Sequence, residues 1–280
     1  MPEASDHAPP GSSGSPGRAP EALLERPEDG IALLRLNRPG QLNTLTDQGV
    51  AEIGRLLDTL ASDVRVLVIS GAGRGFCAGF DLNLAADAPG SAELGETPAW
   101  MMRQESFASL VTRLRGLRQP VIAAVNGPAS GAGLGLALAA EIRIAARSAL
   151  FNAAFVRVGM SGCDIGVSWL LPRSIGMSRA FEMMLTGRMV DAAEAERIGL
   201  VSETVDDDRL LPRAFEIARS IAANSAFGVW MTKRGAWANV EAGSLQAAIE
   251  LENRTQILAR TTGELASAAK ALLARRKPRN

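Results

Sequence analysis

Between Pro120 and Glu141 the chain reads Pro-Val-Ile-Ala-Ala-Val-Asn-Gly-Pro-Ala-Ser-Gly-Ala-Gly-Leu-Gly-Leu-Ala-Leu-Ala-Ala-Glu. An apolar β-type run, Val121 to Val125, breaks at Asn126-Gly127-Pro128 and passes Gly131, Gly133 and Gly135 into an Ala/Leu-rich helix. A strand that feeds a small-residue turn into a helix leaves N–H groups unpaired where the helix dipole favours negative charge. Glycine and alanine let a ligand oxygen approach that backbone. The turn therefore suits an oxyanion: a phosphate, a carboxylate or the enolate of a thioester. A second turn of the same kind follows the buried-strand run Val64 to Ser70, in Gly71-Ala-Gly-Arg-Gly-Phe-Cys-Ala-Gly-Phe-Asp-Leu82. Two such turns can offer one N–H each to a single oxygen, which is how an oxyanion hole is built.

The pair Gly75-Phe-Cys-Ala-Gly-Phe-Asp-Leu82 and Pro120-Val-Ile-Ala-Ala-Val-Asn-Gly127 closely resembles the enoyl-CoA hydratase/isomerase (crotonase) superfamily. The resemblance continues in Leu36-Asn-Arg-Pro39 with Asn43, and in Leu185-Thr-Gly187 followed by Ala192, Glu194-Ala195 and Gly199-Leu-Val201. It covers roughly residues 21 to 280, with its motifs in the family's order. It implies an α/β crotonase (ClpP/crotonase-like) fold, a stacked ββα core with a C-terminal helical trimerisation region. It also implies an acyl-CoA substrate, no permanently bound cofactor beyond the coenzyme A carried by that substrate, and trimers paired into hexamers.

Residue by residue, the resemblance assigns the oxyanion amides to Phe80 and Ala132. Coenzyme A is expected along Gln41 and Leu42 on one side and Ala78, Asp81 and Leu82 on the other, chiefly through backbone contacts. Arg276 and Lys277 resemble the family's terminal basic segment that reaches CoA phosphates; a solvated helix C-terminus would carry the same charges. The chain departs from the family at the two glutamates with which its hydratases position water. Those positions hold Gly135 and Phe155. Glu141 matches a structural acidic position instead.

One carboxylate lies in the right region: Asp164, followed by Gly166 and eight residues before Pro172. The segment is similar to the one where dienoyl-CoA isomerases carry an acid/base aspartate. Chlorobenzoyl-CoA dehalogenases carry a nucleophilic aspartate there, and dihydroxynaphthoyl-CoA synthases a catalytic one. A carboxylate in an apolar pocket has its charged form disfavoured, which moves it towards a useful base. The same residue before an apolar run also suits a helix N-cap, so both roles are open. With one carboxylate, double-bond isomerisation or water addition is expected; the alternatives are an acyl-CoA binder without chemistry and an Asp164-nucleophile hydrolase. Pro98-Ala-Trp-Met-Met102, Phe107, Phe155, Met160 and Trp169 are candidates for an adaptable apolar acyl wall.

These groups need a scaffold, and the periodicity supplies one. Ile31 to Leu36 reads as a strand, and Thr46 to Leu60 as a helix with Val50, Ile53, Leu56, Leu57 and Leu60 on one face. A strand near 64–70, a loop-rich stretch 83–98, a helix near 99–117 and a strand at 121–125 follow, then short strands at 142–145 and 200–205. Alternating strands and helices predict right-handed crossovers. From 210 onward four helices are expected: 210–222, 226–239, 245–259 and 263–275. Their wide apolar faces fold back on the core or meet another subunit, and the family resemblance favours the subunit. The division expected is 1–20 as a Pro/Gly/Ser/Ala-rich leader, 21–209 as the α/β core and 210–280 as the helical region. Lys+Arg and Asp+Glu balance at 30 each, so nothing draws the chain electrostatically to nucleic acid or an acidic membrane. The single histidine, His7, lies in the leader, which removes the usual zinc and Ser-His-Asp sites. Two cysteines, Cys77 and Cys163, and no apolar run of membrane length fit a cytoplasmic protein.

Overall fold

The structure, a computed structural model, describes residues 19–275. The expected leader, apart from its last two residues, and the pair Arg276–Lys277 lie outside that range. In chain order the elements are β1 (Ala22–Glu28), β2 (Ile31–Leu36), α1 (Asp47–Asp58), β3 (Val66–Gly71), α2 (Ser91–Leu94), α3 (Glu96–Gly116), β4 (Val121–Val125) and β5 (Ala129–Ser130). Then come α4 (Ala132–Ala139), β6 (Ile142–Ala146), β7 (Leu150–Asn152), α5 (Val167–Ile175), α6 (Met177–Thr186), β8 (Val190–Asp191), α7 (Ala192–Arg197) and β9 (Glu203–Val205). Four helices close the chain: α8 (Leu210–Ala222), α9 (Ala226–Val240), α10 (Leu245–Arg260) and α11 (Glu264–Arg275).

The apolar strands run so continuously because both faces of the main sheet are covered. Its order is β1-β2-β3-β4-β6-β9, antiparallel between β1 and β2 and parallel thereafter. Side chains alternate with period two between the faces. Leu34, Leu36, Leu67, Ile69, Ala123 and Val125 point towards α1, α3 and α4. Ile31, Leu33, Val66, Val68, Ile122 and Ile144 point the other way, onto Leu210, Ala214 and Ala218 of α8. A small second sheet, β5-β7-β8, sits past the ends of β4 and β6.

Helix starts follow local chemistry. Thr46 caps α1, its hydroxyl accepting from the Gly49 amide at 3.0 Å, and Val50, Ile53 and Leu57 are buried as the spacing predicts. The stretch 83–98 is more structured than expected: a 3-10 turn at Leu82–Leu84, then α2, then α3 from Glu96. Helix α3 starts early because Pro98 lies in its first turn, where a missing N–H costs nothing.

The C-terminal helices divide. Their apolar faces are split between core and solvent: α9 turns back onto its own core, burying Lys233, which donates to the carbonyls of Leu114 and Gln119. Trp237 of the same helix packs on the core and donates to Glu141 at 2.8 Å. Of the two expectations for these helices, α9 meets the first at Lys233 and Trp237, where a buried cation and an indole N–H both find partners within the chain. Helices α10 and α11 leave Leu245, Ile257, Leu258 and Leu265 exposed. Among the described residues no helix is long and apolar enough to cross a membrane.

Candidate active site

The two small-residue turns are built against each other. Cys77 pairs with Ala129 in an isolated bridge, its amide donating to Pro128 O at 3.0 Å and its carbonyl accepting from Ser130 N at 2.9 Å. The approach leaves no room for side chains. A Cβ on Gly133 would lie 1.9 Å from the Cys77 carbonyl oxygen. Gly79, at φ +93°, would place one 2.9 Å from Ser130 O and 3.5 Å from the Ala132 nitrogen. The turn bearing Phe80 therefore lies directly against the first residue of α4. The Leu45–Phe80 bridge uses the Gly79 carbonyl and the Asp81 amide, so the Phe80 N–H faces the opposite edge. Neither the Phe80 nor the Ala132 amide donates a backbone hydrogen bond among the described residues. Two free donors in adjoining turns suit one anionic oxygen.

Asn43 and Asn126 hold the turns in place. Asn43, buried and left-handed at φ +57°, accepts from Arg38 N and donates to Ala72 O and Gly75 O at 2.9 and 2.7 Å. Asn126 accepts from Gly71 N at 3.0 Å and donates to Gly73 O and Gly75 O. These amides do what a backbone ladder does elsewhere, with asparagine tolerating the left-handed conformation.

The residues assigned to coenzyme A form the neighbouring surface. Gln41 and Leu82 are exposed, and Leu42 and Ala78 are half-buried and joined by an Ala78 N to Leu42 O bond of 2.9 Å. Asp81 differs. Its side chain is buried on Arg38 at 2.9 Å, its amide donates to Leu45 O, and its carbonyl accepts from Leu84 N. Burial pushes the Asp81 carboxyl up, but hydrogen bonds from Arg38 and Asn83 outweigh it and hold the group below its ordinary value. Asp81 thus braces this surface from beneath.

Asp164 lies in the loop before α5. It does not cap that helix: the N-cap is Gly166, with no side-chain hydrogen bond, and Asp164 contributes only its carbonyl, to Val167 N at 2.8 Å. Its carboxylate accepts from Gln104 of α3. Burial pushes the carboxyl above its ordinary 3.8, opposed by the Gln104 amide and the Ile165 N–H. The next residue, Ile165, has φ +43°, a costly conformation for a β-branched side chain. Its Cγ2 fills the space beside Gly135, 2.6 Å from where a Cβ would stand. Gly135 is one turn along α4 from Ala132, so this contact brings the Asp164 loop to the helix that carries the second free amide. Phe155 is buried with its ring 3.5 Å from the Cβ position of Gly131. Gly135 and Phe155, the two positions at which the resemblance leads one to expect glutamates, are therefore surrounded by apolar atoms.

Glu141 faces away from this cluster, accepting from Val121 N and Trp237 and pairing with Lys233 at 3.1 Å. Cys77 is a packed thiol that burial pushes up to about 12. Cys163 is exposed, and its amide donates to Ser161 Oγ at 3.0 Å.

Sequence reasoning missed two residues of α3. Arg103 is buried, bound to both oxygens of Asp47 and to the carbonyls of Leu84 and Asp87. Its guanidinium lies 5.4 Å from the Phe80 ring centroid and 4.8 Å from that of Trp100. The Phe80 ring in turn meets Trp100 and Phe107 edge to face, at 6.3 and 5.5 Å. Gln104 is the other. The available signal for Arg103 was its place at helical spacing between Ala99 and Phe107, on the stripe that α3 buries; nothing local marks Gln104, whose partner is 60 residues away. A cavity of about 830 Å³ opens between α8, α9 and α10 beside Glu141 and Lys233. None of Phe80, Ala132 or Asp164 lines it.

Comparison with known proteins bears on this arrangement. The family model described as enoyl-CoA hydratase/isomerase matches residues 26–279. A probable enoyl-CoA hydratase of Mycobacterium leprae is 44% identical over 237 residues, covering 84% of this chain and 81% of its own. The 1,2-epoxyphenylacetyl-CoA isomerase of Escherichia coli K12 is 40% identical over 261 residues, covering 92% and 97%. The crystal structure of a probable enoyl-CoA hydratase/isomerase from Mycobacterium abscessus superposes with a TM-score of 0.82 at 39% identity, over 90% of this chain and 95% of that one. The chain is a crotonase-fold enzyme and belongs to the enoyl-CoA hydratase/isomerase family.

Proposed function

We propose that the enzyme shifts the double bond of an enoyl-CoA thioester, with Asp164 as its single acid/base. The observation that carries this reading is one half-buried carboxylate beside α4, at a site whose two other carboxylate positions are Gly135 and Phe155. The thioester carbonyl accepts from the Phe80 and Ala132 amides. Asp164 takes a proton from the carbon γ (or α) to that carbonyl, and the electron pair moves into a dienolate whose oxygen keeps both donors. Return of the same proton to the other carbon moves the double bond and regenerates the carboxylate. No second base is needed, whereas hydration asks two groups to deliver oxygen and proton. The name of a solved relative, a monofunctional enoyl CoA isomerase from M. smegmatis that is 44% identical over 82% of this chain, supports the same direction. Coenzyme A would run along Gln41, Leu42, Ala78 and Leu82, over the Arg38–Asp81 brace, with Arg276 and Lys277, outside the described residues, as further contacts for its phosphates. Exposed apolar residues on α10 and α11 support assembly into trimers or hexamers.

The test is a panel of 2-enoyl-, 3-enoyl-, 3,5-dienoyl- and 3-hydroxyacyl-CoAs, assayed with the wild type and Asp164→Asn. Isomerisation should dominate and fall about 10³-fold in the variant. Hydration of 2-enoyl-CoA that survives Asp164→Asn would overturn the assignment. Single turnover in heavy-oxygen water checks the nucleophilic route, since label would then first enter the Asp164 carboxylate.

A further inference from the structure

We infer that Gln104 is a positioning residue, which holds the Asp164 carboxylate in register with the Phe80 and Ala132 amides; this rests on the reading of Asp164 as the base. Gln104 donates its side-chain amide to Asp164 Oδ1 across 60 residues of sequence. Its helix is anchored at both ends of the proposed site. One turn before Gln104 on α3 is Trp100 and three residues after it is Phe107, and both rings pack on Phe80. Residues three and four apart share a helix face, so a single face of α3 touches the base and the residue that owns one oxyanion amide. Arg103, between them, ties that helix to Asp47 and to the 84–87 loop. Helix α3 is then a ruler between donor and base.

The loop that carries Asp164 needs such a hold. Ile165 is left-handed and Gly166 has φ +80°, conformations that persist only where the surroundings over-determine them. Ile165 is pinned on Gly135 from one side and Asp164 by Gln104 from the other. A carboxamide is suited to the task because it does not titrate: it donates at every working pH and cannot take the substrate's proton itself. No charged group competes. Burial, the Gln104 amide and the Ile165 amide act on the carboxyl, with no ion pair among them. Helix α4 carries no titratable side chain. Arg103 of α3 is bound to Asp47, Arg157 packs on Gly187, Glu182 of α6 pairs with Arg188, and Arg173 of α5 stacks on Trp169 at 3.8 Å. The exposed Cys163 thiol and the exposed Glu105 of α3 are the remaining titratable neighbours in sequence.

The experiment is carbon-13 NMR of the full chain labelled at aspartate Cγ, with the Asp164 resonance assigned by its loss in Asp164→Asn, alongside pH profiles of kcat. Gln104→Leu should raise the Asp164 titration midpoint by roughly one pH unit, because the charged form loses a donor. The acid limb of kcat should move by the same amount. Turnover should drop about tenfold with KM nearly unchanged, since the base is misplaced and the thioester contacts remain. In Gln104→Glu the same resonance should titrate in two coupled steps, as two touching carboxyls do. A single step at the wild-type midpoint in both variants overturns the proposal. If Asp164→Asn keeps turnover while the titrations shift, the contact stands and the base reading falls, and the positioning role falls with it.

Discussion

At the scale of single residues the site is organised by close approach. Gly133 has the Cys77 carbonyl where its Cβ would stand, so Gly133→Ala forces the two turns apart. The expected loss is about 3 kcal/mol of stability, together with turnover, read by thermal denaturation and the isomerase assay. Asp164 works in the opposite sense. Burial holds its folded-state carboxyl above the ordinary value, so with Asp164 as the proposed base the kcat profile should rise with pH through a midpoint above 3.8. The sign for stability is reversed. A carboxyl raised on folding favours the fold at low pH and loses that contribution as pH rises through its folded value. Asp164→Asn should therefore melt no lower than the wild type at pH 7 while losing turnover. A variant that unfolds there instead would mark Asp164 as structural.

At the scale of elements, what matters is how loops without secondary structure of their own are held. Arg38 reaches back to Thr44 O and Oγ1 at 2.8 Å each and to Asp81 at 2.9 Å, joining the Pro39–Gln41 turn to the Phe80 turn. Asp81 is held below its ordinary value despite burial, so its contribution to stability is present above about 3.8. That contribution disappears as pH falls through the folded value. Asp81→Asn should cost about 2 kcal/mol at pH 7, since the mostly buried Arg38 guanidinium loses its 2.9 Å carboxylate and keeps only that of Glu21 at 3.7 Å. The gap between variant and wild type should narrow as the pH of the melt falls from about 3.8 through that folded value. Asn43→Ala removes an acceptor and two donors from buried groups; the expected cost is about 3 kcal/mol. Because the same bonds set the Phe80 turn, the KM for CoA esters should rise as well.

At the scale of the whole molecule, the chain closes one flank and leaves another open. Helix α9 seals its side of the core with Lys233 and Trp237 on Glu141. Beyond it, Leu245 is 77% exposed, Ile257 63% and Leu258 54%, more apolar surface than a lone helix gains by showing water. Sedimentation should give three or six times the 29.4 kDa chain mass. The double substitution Ile257→Asp with Leu258→Asp should shift it to smaller species. A wild-type monomer at assay concentration would refute the assembly.

The sequence by itself determined the framework and the family. Long apolar runs such as 64–70 and 121–125 have two covered faces to fill, and helix α1 announces its face by spacing and its start by Thr46, so both are legible locally. The two Gly-rich turns are legible for a similar reason, since only small residues let backbones meet and their spacing survives in the chain. The short strands β5, β7 and β8 were not legible, because two or three residues carry no period; pairing alone makes them strands. Helix α3 began earlier than its pattern indicated, the first turn being polar. What only the tertiary structure decided were relations between distant residues. Asp164 has two local readings, base and helix cap, and its cap position is taken by Gly166 only once the loop is folded. Ile165 fills the space at Gly135 across 30 residues, and Gln104 reaches Asp164 across 60. Local periodicity reports which face of an element is buried; it does not report what that face will meet.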